Sequence, residues 1–183
     1  MRELTVRIRF VSPCLGNAKD GAGNLKFART PSGDVTFLAS WHMDNMRLAA
    51  RLLGRHQDEV QKILWDVAVD GVVAKGKDRW HKRYFTARDN HRRRFARHEC
   101  FQPGQVVGLN CLVPNAISDD DLLQLMTIAG KYKGLSPFRP GEFGHYTVES
   151  ITLRRSVPAT PDGPVSRVEA ALTDQASEPK DIE

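Results

Sequence analysis

Ser118 is followed by Asp119, Asp120 and Asp121, and then by Leu122, Leu125, Met126 and Ala129. The hydroxyl can accept from the first free amides, and the acids sit at the positive end of the helix dipole. The apolar residues recur at three- and four-residue spacing, so the helix has one face to bury. Gly130 is predicted to end it. Gln105 to Val113 reads as a strand closed by Pro114, and Tyr146 to Leu153 as another. A helix with one apolar stripe, set between two strands, must pack on a sheet.

The first half repeats this logic. Leu4, Val6, Ile8 and Phe10 alternate with Thr5, Arg7 and Arg9, the pattern of a half-buried strand with a cationic outer face. Gly16 to Gly23 is a glycine-rich polar loop, and Val35 to Leu38 a short strand. Ser40 is placed to cap a helix from about Trp41 to Leu53, with Met43, Met46, Ala50 and Leu53 on one face and Gly54 as the stop. Asp58 opens a short second helix, and Trp65, Val67 and Val69 alternate with Asp66 and Asp70 as a strand. The order is strand, helix, strand, excursion, strand, helix, strand. It fits an α+β fold, a ferredoxin-like (RRM-like) sandwich of the split β-α-β type. Helices then cover one sheet face, and Arg7 and Arg9 sit on the other.

The excursion, about 74–100, is the chemical signal. Ten of the 27 Lys and Arg fall there: Lys75, Lys77, Arg79, Lys82, Arg83, Arg88, Arg92, Arg93, Arg94 and Arg97. Within 75–97 only Asp78 and Asp89 oppose them. Trp80, Tyr84, Phe85 and Phe95 lie among the charges, with strands expected near Tyr84 and Phe95. Cations track a phosphate backbone, and flat rings offer stacking platforms for bases. Arginine adds planar, bidentate phosphate recognition. A soluble hairpin whose aromatics merely pack is the plainer account of the same residues.

Net charge is +5 over 183 residues, which favours a polyanionic partner. The body, residues 1–155, is expected to form one domain. Residues 156–183 hold six acids against Arg167 and Lys180 and read as a disordered acidic tail, with a transient helix near Val168 to Leu172. Cys14, Cys100 and Cys111 have no metal-ligand spacing and read as buried thiols in a reducing compartment. The opening MRELTVRIRF is not a signal peptide, and no apolar run approaches the ~20 residues of a membrane helix. A cytoplasmic protein without cofactor or metal is the expectation. The acids at 119–121 are read as helix caps rather than as metal ligands.

The segment GKYKGLSPFRPGEFGHYTVESI holds further candidates for close approach or charge: Gly134, Gly141 and Gly144, where a missing side chain lets a ligand backbone come near, and Arg139. Lys131 and Lys133 add charge beside them. This loop, with Gly141-Glu142-Phe143-Gly144 before the last strand, resembles the RAMP superfamily, the ferredoxin-like RNA-binding subunits of CRISPR effector complexes. VTFLASWHMDNMRLAARL resembles the family's strand-to-helix segment, with Ser40 and Arg47 at matching places, and TVRIRFVSPCLGN is similar to its opening strand. The family's Lys-Gly before the helix arginine is Asp44-Asn45-Met46 here. The resemblance spans about residues 4–153. It implies a subunit that holds single-stranded RNA, such as a guide RNA, within a larger ribonucleoprotein. Some members of the family cut RNA without metal through a histidine, and His42 and His145 are the candidates for that alternative. A non-enzymatic assembly protein whose cationic arm docks an acidic partner is the other alternative.

Overall fold

Strand β1 (Arg2–Phe10) is the axis of the fold. In this computed structural model the described residues are 1–156 apart from Asp20, Gly23 and the segments 71–79, 87–92 and 137–141. The expected tail lies almost wholly outside them, as does the first turn of the excursion at 75–78. Leu4, Val6, Ile8 and Phe10 are buried, whereas Arg7 and Arg9 are exposed, as the alternation requires. On either side of β1 run β10 (Val106–Val113) and β11 (Tyr146–Ser156), both antiparallel to it. Beyond β10 comes β7 (Leu64–Asp70), also antiparallel. The sheet order is therefore β11-β1-β10-β7, extended past β7 by two short strands, β6 (Val35–Thr36) and β5 (Ala28–Arg29).

Helix α1 (Ala39–Leu52) joins β1 to β7 by way of the one-turn helix α2 (Gln57–Gln61), and α3 (Asp119–Tyr132) joins β10 to β11. Met46, Ala49 and Ala50 of α1 and Leu122, Leu125, Met126 and Ala129 of α3 share one core with the inward residues of β1 and β10. Both helices thus cover one face, and the mixed α+β architecture follows. Ser118 caps α3 as the sequence dictates: its hydroxyl accepts from the Asp121 amide at 3.1 Å, and the Asp121 carboxylate accepts from the Ser118 amide at 3.3 Å. Asp121 also pairs with Arg55, and Asp119 with Arg2. The guanidinium of Arg55, then the Ser118 hydroxyl, holds the Asp121 carboxyl down to about 2.

Three boundaries differ from expectation. Leu38, not Ser40, stands at the N-cap of α1, and no side chain caps that end. Ser40 falls inside the first turn because the chain leaves Phe37, a buried core ring, directly into the helix. Helix α3 continues past Gly130 to Tyr132, and Gly134 turns the chain with φ 68°. Gly130 is a packing position, since a Cβ there would stand 2.4 Å from the Tyr146 carbonyl. The last strand runs on to Ser156.

A second, smaller sheet stands at the end of the molecule where β1 and β7 finish. Its central strand is β9 (Arg93–Phe101), which pairs with β8 (Trp80–Thr86) on one side. On the other side it meets β2 (Cys14–Leu15) and β4 (Leu25–Lys26), with β3 (Ala18–Lys19) paired to β4. Four buried rings join the two sheets. Phe10 of β1 stacks on Phe101 of β9 at 5.5 Å, Phe37 packs against both, and Phe27 packs against Phe37 and Phe101. Each such aromatic pair contributes about 0.5–1.5 kcal/mol beyond its buried area. Cys14, Cys100 and Cys111 are buried free thiols, and burial pushes Cys100 up to about 11 and Cys111 up to about 12.

Candidate nucleic-acid interface

The basic excursion is a hairpin, with seven residue pairs from Trp80↔Glu99 to Thr86↔Arg93. Lys82 faces Arg97 in the register, and Tyr84 faces Phe95. Lys82 and Arg97 are exposed. The Arg97 guanidinium lies 5.1 Å from the centre of the Trp80 ring, a cation–π contact along the diagonal of the ladder. Arg83, Arg93, Arg94 and Phe95 are described by their backbone alone, and Lys75, Lys77, Arg79, Arg88 and Arg92 lie outside the described residues.

The root of this arm is anchored by buried polar groups. Glu99 is 0% exposed. Its carboxylate accepts from the Phe27 amide at 2.9 Å and from the guanidinium of Arg29. A buried charge is tolerated only with such partners. His98, also buried, donates from Nδ1 to the Gly16 carbonyl at 2.9 Å, and the Gly16 amide donates to the Glu99 carbonyl at 2.8 Å. The sequence reading missed Glu99 and Arg29 as partners. They lie 70 residues apart, and an acid within a basic run reads as solvated until the fold buries it.

The glycine-rich loop is fastened to the same end. The Gly134 amide donates to Ala129, the Leu135 amide to Gly144, and the Gly144 amide to Pro13, the last two at 2.8 Å. Gly134 and Gly144 have φ 68° and 74° and lie face to face. A Cβ on Gly134 would stand 2.5 Å from the Gly144 carbonyl, and one on Gly144 would stand 2.8 Å from Leu135. The room left by these two glycines is filled by the chain's own backbone. The expectation of a ligand backbone at those positions gives way to an internal close approach. Gly141 and Arg139 lie outside the described residues.

His81 of the arm meets Phe143 of the loop edge-on, with ring centres 5.4 Å apart. Lys131 lies 5.3 Å from the ring of its neighbour Tyr132, which is half exposed. Lys133 reaches Asp44 on α1 at 3.5 Å. Arm, loop and the residues after β1 therefore form one connected end of the molecule.

The other candidates do not join it as one surface. Arg9 is paired with Glu149 and donates to the Gly104 carbonyl at 2.8 Å. Arg7 is exposed on the sheet face away from the helices, between Gly108 and Ser150 in the register. Arg47 is exposed on α1, on the opposite side of the sheet.

The two histidines have structural surroundings. His42 is 4% exposed, stacked on Trp65 at 4.6 Å and edge-on to Phe37. Burial lowers it to about 3, so it is a neutral core ring rather than a solvent-facing acid or base. Desolvation is the cause of that lowering. His145 donates from Nδ1 to the Gly130 carbonyl at 3.0 Å, and its amide donates to the Ser12 hydroxyl at 2.9 Å. It ties α3 to the end of β1.

No family model matches this sequence, and no curated protein matches it. Solved structures do match in fold. A chain of the cryo-EM structure of the Type III-B Cmr-beta bound to cognate target RNA is similar with a TM-score of 0.59 and 12% identity. The match covers 83% of this chain and 60% of that one, so the present chain spans under two thirds of that subunit's length. A chain of a Type IV-B CRISPR complex aligns over 96% of this chain and 100% of its own, with 10% identity and a TM-score of 0.46. The fold is thus similar to that of a chain of the Type III-B Cmr-beta. Among the described residues no helix is long and apolar enough to cross a membrane.

Proposed function

We propose that this chain is an RNA-binding subunit of a ribonucleoprotein complex, a divergent relative of the RAMP proteins of CRISPR effectors. The β-α-β-β-α-β path with sheet order β11-β1-β10-β7 supports the ferredoxin-like reading. The observation that carries the functional reading is the union of the basic hairpin and the glycine loop at one end, sealed by the contact of His81 with Phe143. Cations of residues 75–97 follow the phosphates of a single strand, and Lys131 and Lys133 extend the positive surface beside the loop. Gly134 and Gly144 serve by shaping the loop. The partners are RNA, such as a guide, and other subunits of the complex.

Fluorescence anisotropy with a labelled single-stranded RNA over a range of salt tests this reading. Salt-sensitive binding without cleavage supports it. Cleavage would favour the endoribonuclease alternative. Failure to bind, together with salt-sensitive capture of an acidic protein, would favour the assembly alternative.

A further inference from the structure

The strands between β1 and α1 line a pocket of about 100 Å³, open to solvent, that the arm and loop do not use. Asn17, Ala18, Ala28, Thr36, Leu38 and Trp41 line it. Its walls are the hairpin of β3 and β4, the hairpin of β5 and β6, and the first turn of α1. The lining is almost wholly apolar, yet it includes one amide and one hydroxyl. Asn17 is exposed, and among the described residues its side chain makes no hydrogen bond, so its amide can both donate and accept. Among the described residues the Thr36 hydroxyl has only a long contact, 3.4 Å, with the Phe37 carbonyl. Leu38 is half exposed, and Trp41 is held by Phe37 at 6.0 Å between ring centres.

We infer that this pocket receives one unstacked nucleobase of the bound RNA, an assignment that rests on the RNA-binding reading above. A base has flat apolar faces and a polar edge that both donates and accepts, which is the chemistry of this lining. A sugar or a phosphate requires a more polar wall, and an aliphatic group has no use for the free amide. None of the six lining residues is charged, and the hairpin beside them carries Lys19 and Lys26, as suits the phosphates flanking a base. That hairpin also pairs with the arm, Leu25 with His98, so the pocket is continuous with the proposed interface.

The test compares the full chain's affinity for a short oligouridylate with that for an abasic strand of the same length, which keeps the phosphates and lacks the bases. The variants are Ala28→Leu, which fills the pocket, Trp41→Ala and Asn17→Ala. One stacked base is worth a factor of about 5 to 150 in affinity. The expected result is that Ala28→Leu and Trp41→Ala lose at least about 5-fold of the preference for the strand with bases, while affinity for the abasic strand is unchanged. Asn17→Ala, a surface change, decides the matter if the other two melt early, and it should narrow the same gap. If wild-type chain binds RNA and all folded variants keep the full preference, the base-pocket inference fails and the RNA-binding reading stands. That outcome would also apply if a partner's aromatic side chain fills the pocket. If wild-type chain binds neither strand, both readings fail.

Discussion

His81 stands edge-on to Phe143, with 5.4 Å between ring centres and 73° between planes. One ring belongs to the basic hairpin, and the other to the loop that follows α3. The loop also reaches the hairpin through residues 13–15, where Pro13 accepts the Gly144 amide and β2 pairs with β9, so the ring contact is one of two links between them. Phe143→Ala should cost only about 0.5–1.5 kcal/mol of stability, the worth of one aromatic pair. It should speed amide exchange at the root of the hairpin, residues 80–82 and 97–99. Hydrogen exchange read by mass spectrometry checks this. Unchanged exchange there would mean that the loop does not brace the arm.

Gly134 and Gly144 make a sharper prediction. Asn tolerates a positive φ, so a glycine needed only for its backbone angle is rescued by Asn. Here each Cβ would also press on the facing backbone at 2.5–2.9 Å. Gly134→Asn and Gly144→Asn should therefore each destabilise the chain by at least about 2 kcal/mol. Urea denaturation measures it. Wild-type midpoints for both variants would show that the loop opens freely.

The buried His42 links stability to pH. Its value falls from 6.5 to about 3 through burial, so the folded chain holds it neutral where the unfolded chain protonates it. The unfolded state then binds more protons between pH 6.5 and 3, and stability must fall as pH drops through that window. The slope from this one group is at most about 1.4 kcal/mol per pH unit. Melting temperatures at pH 7 and pH 5 should differ more for wild type than for His42→Phe, which keeps a ring against Trp65. Equal differences would place His42 in contact with water.

The sequence revealed what depends on neighbours along the chain. Ser118 with Asp121 announced the α3 cap, and the alternation of Leu4, Val6, Ile8 and Phe10 announced β1 with its two faces. Strands near Tyr84 and Phe95 followed from the same local pattern. What was not legible depended on partners far away. Gly130 reads as a helix stop until Tyr146 is seen against it. Ser40 reads as a cap until Phe37 is anchored in the aromatic cluster. The two-residue strands β2 to β5 have no period of their own, because two residues make none, and they exist through pairing with one another, with β6 and with β9. At the site, the hairpin was legible from its charges. The neutral, stacked state of His42 was not, since Trp65 reaches it from strand β7.

On the proposed reading, the basic segment 75–97 holds single-stranded RNA by its phosphates. The most direct measurement is the salt dependence of RNA affinity for wild-type chain and for the triple variant Arg92→Ala, Arg93→Ala, Arg94→Ala. The account predicts salt-sensitive binding by wild type, with a log–log slope that is reduced in the variant by roughly 0.7 for each phosphate it no longer neutralises. Identical slopes and affinities for the two proteins, or no RNA binding by wild type, would contradict it.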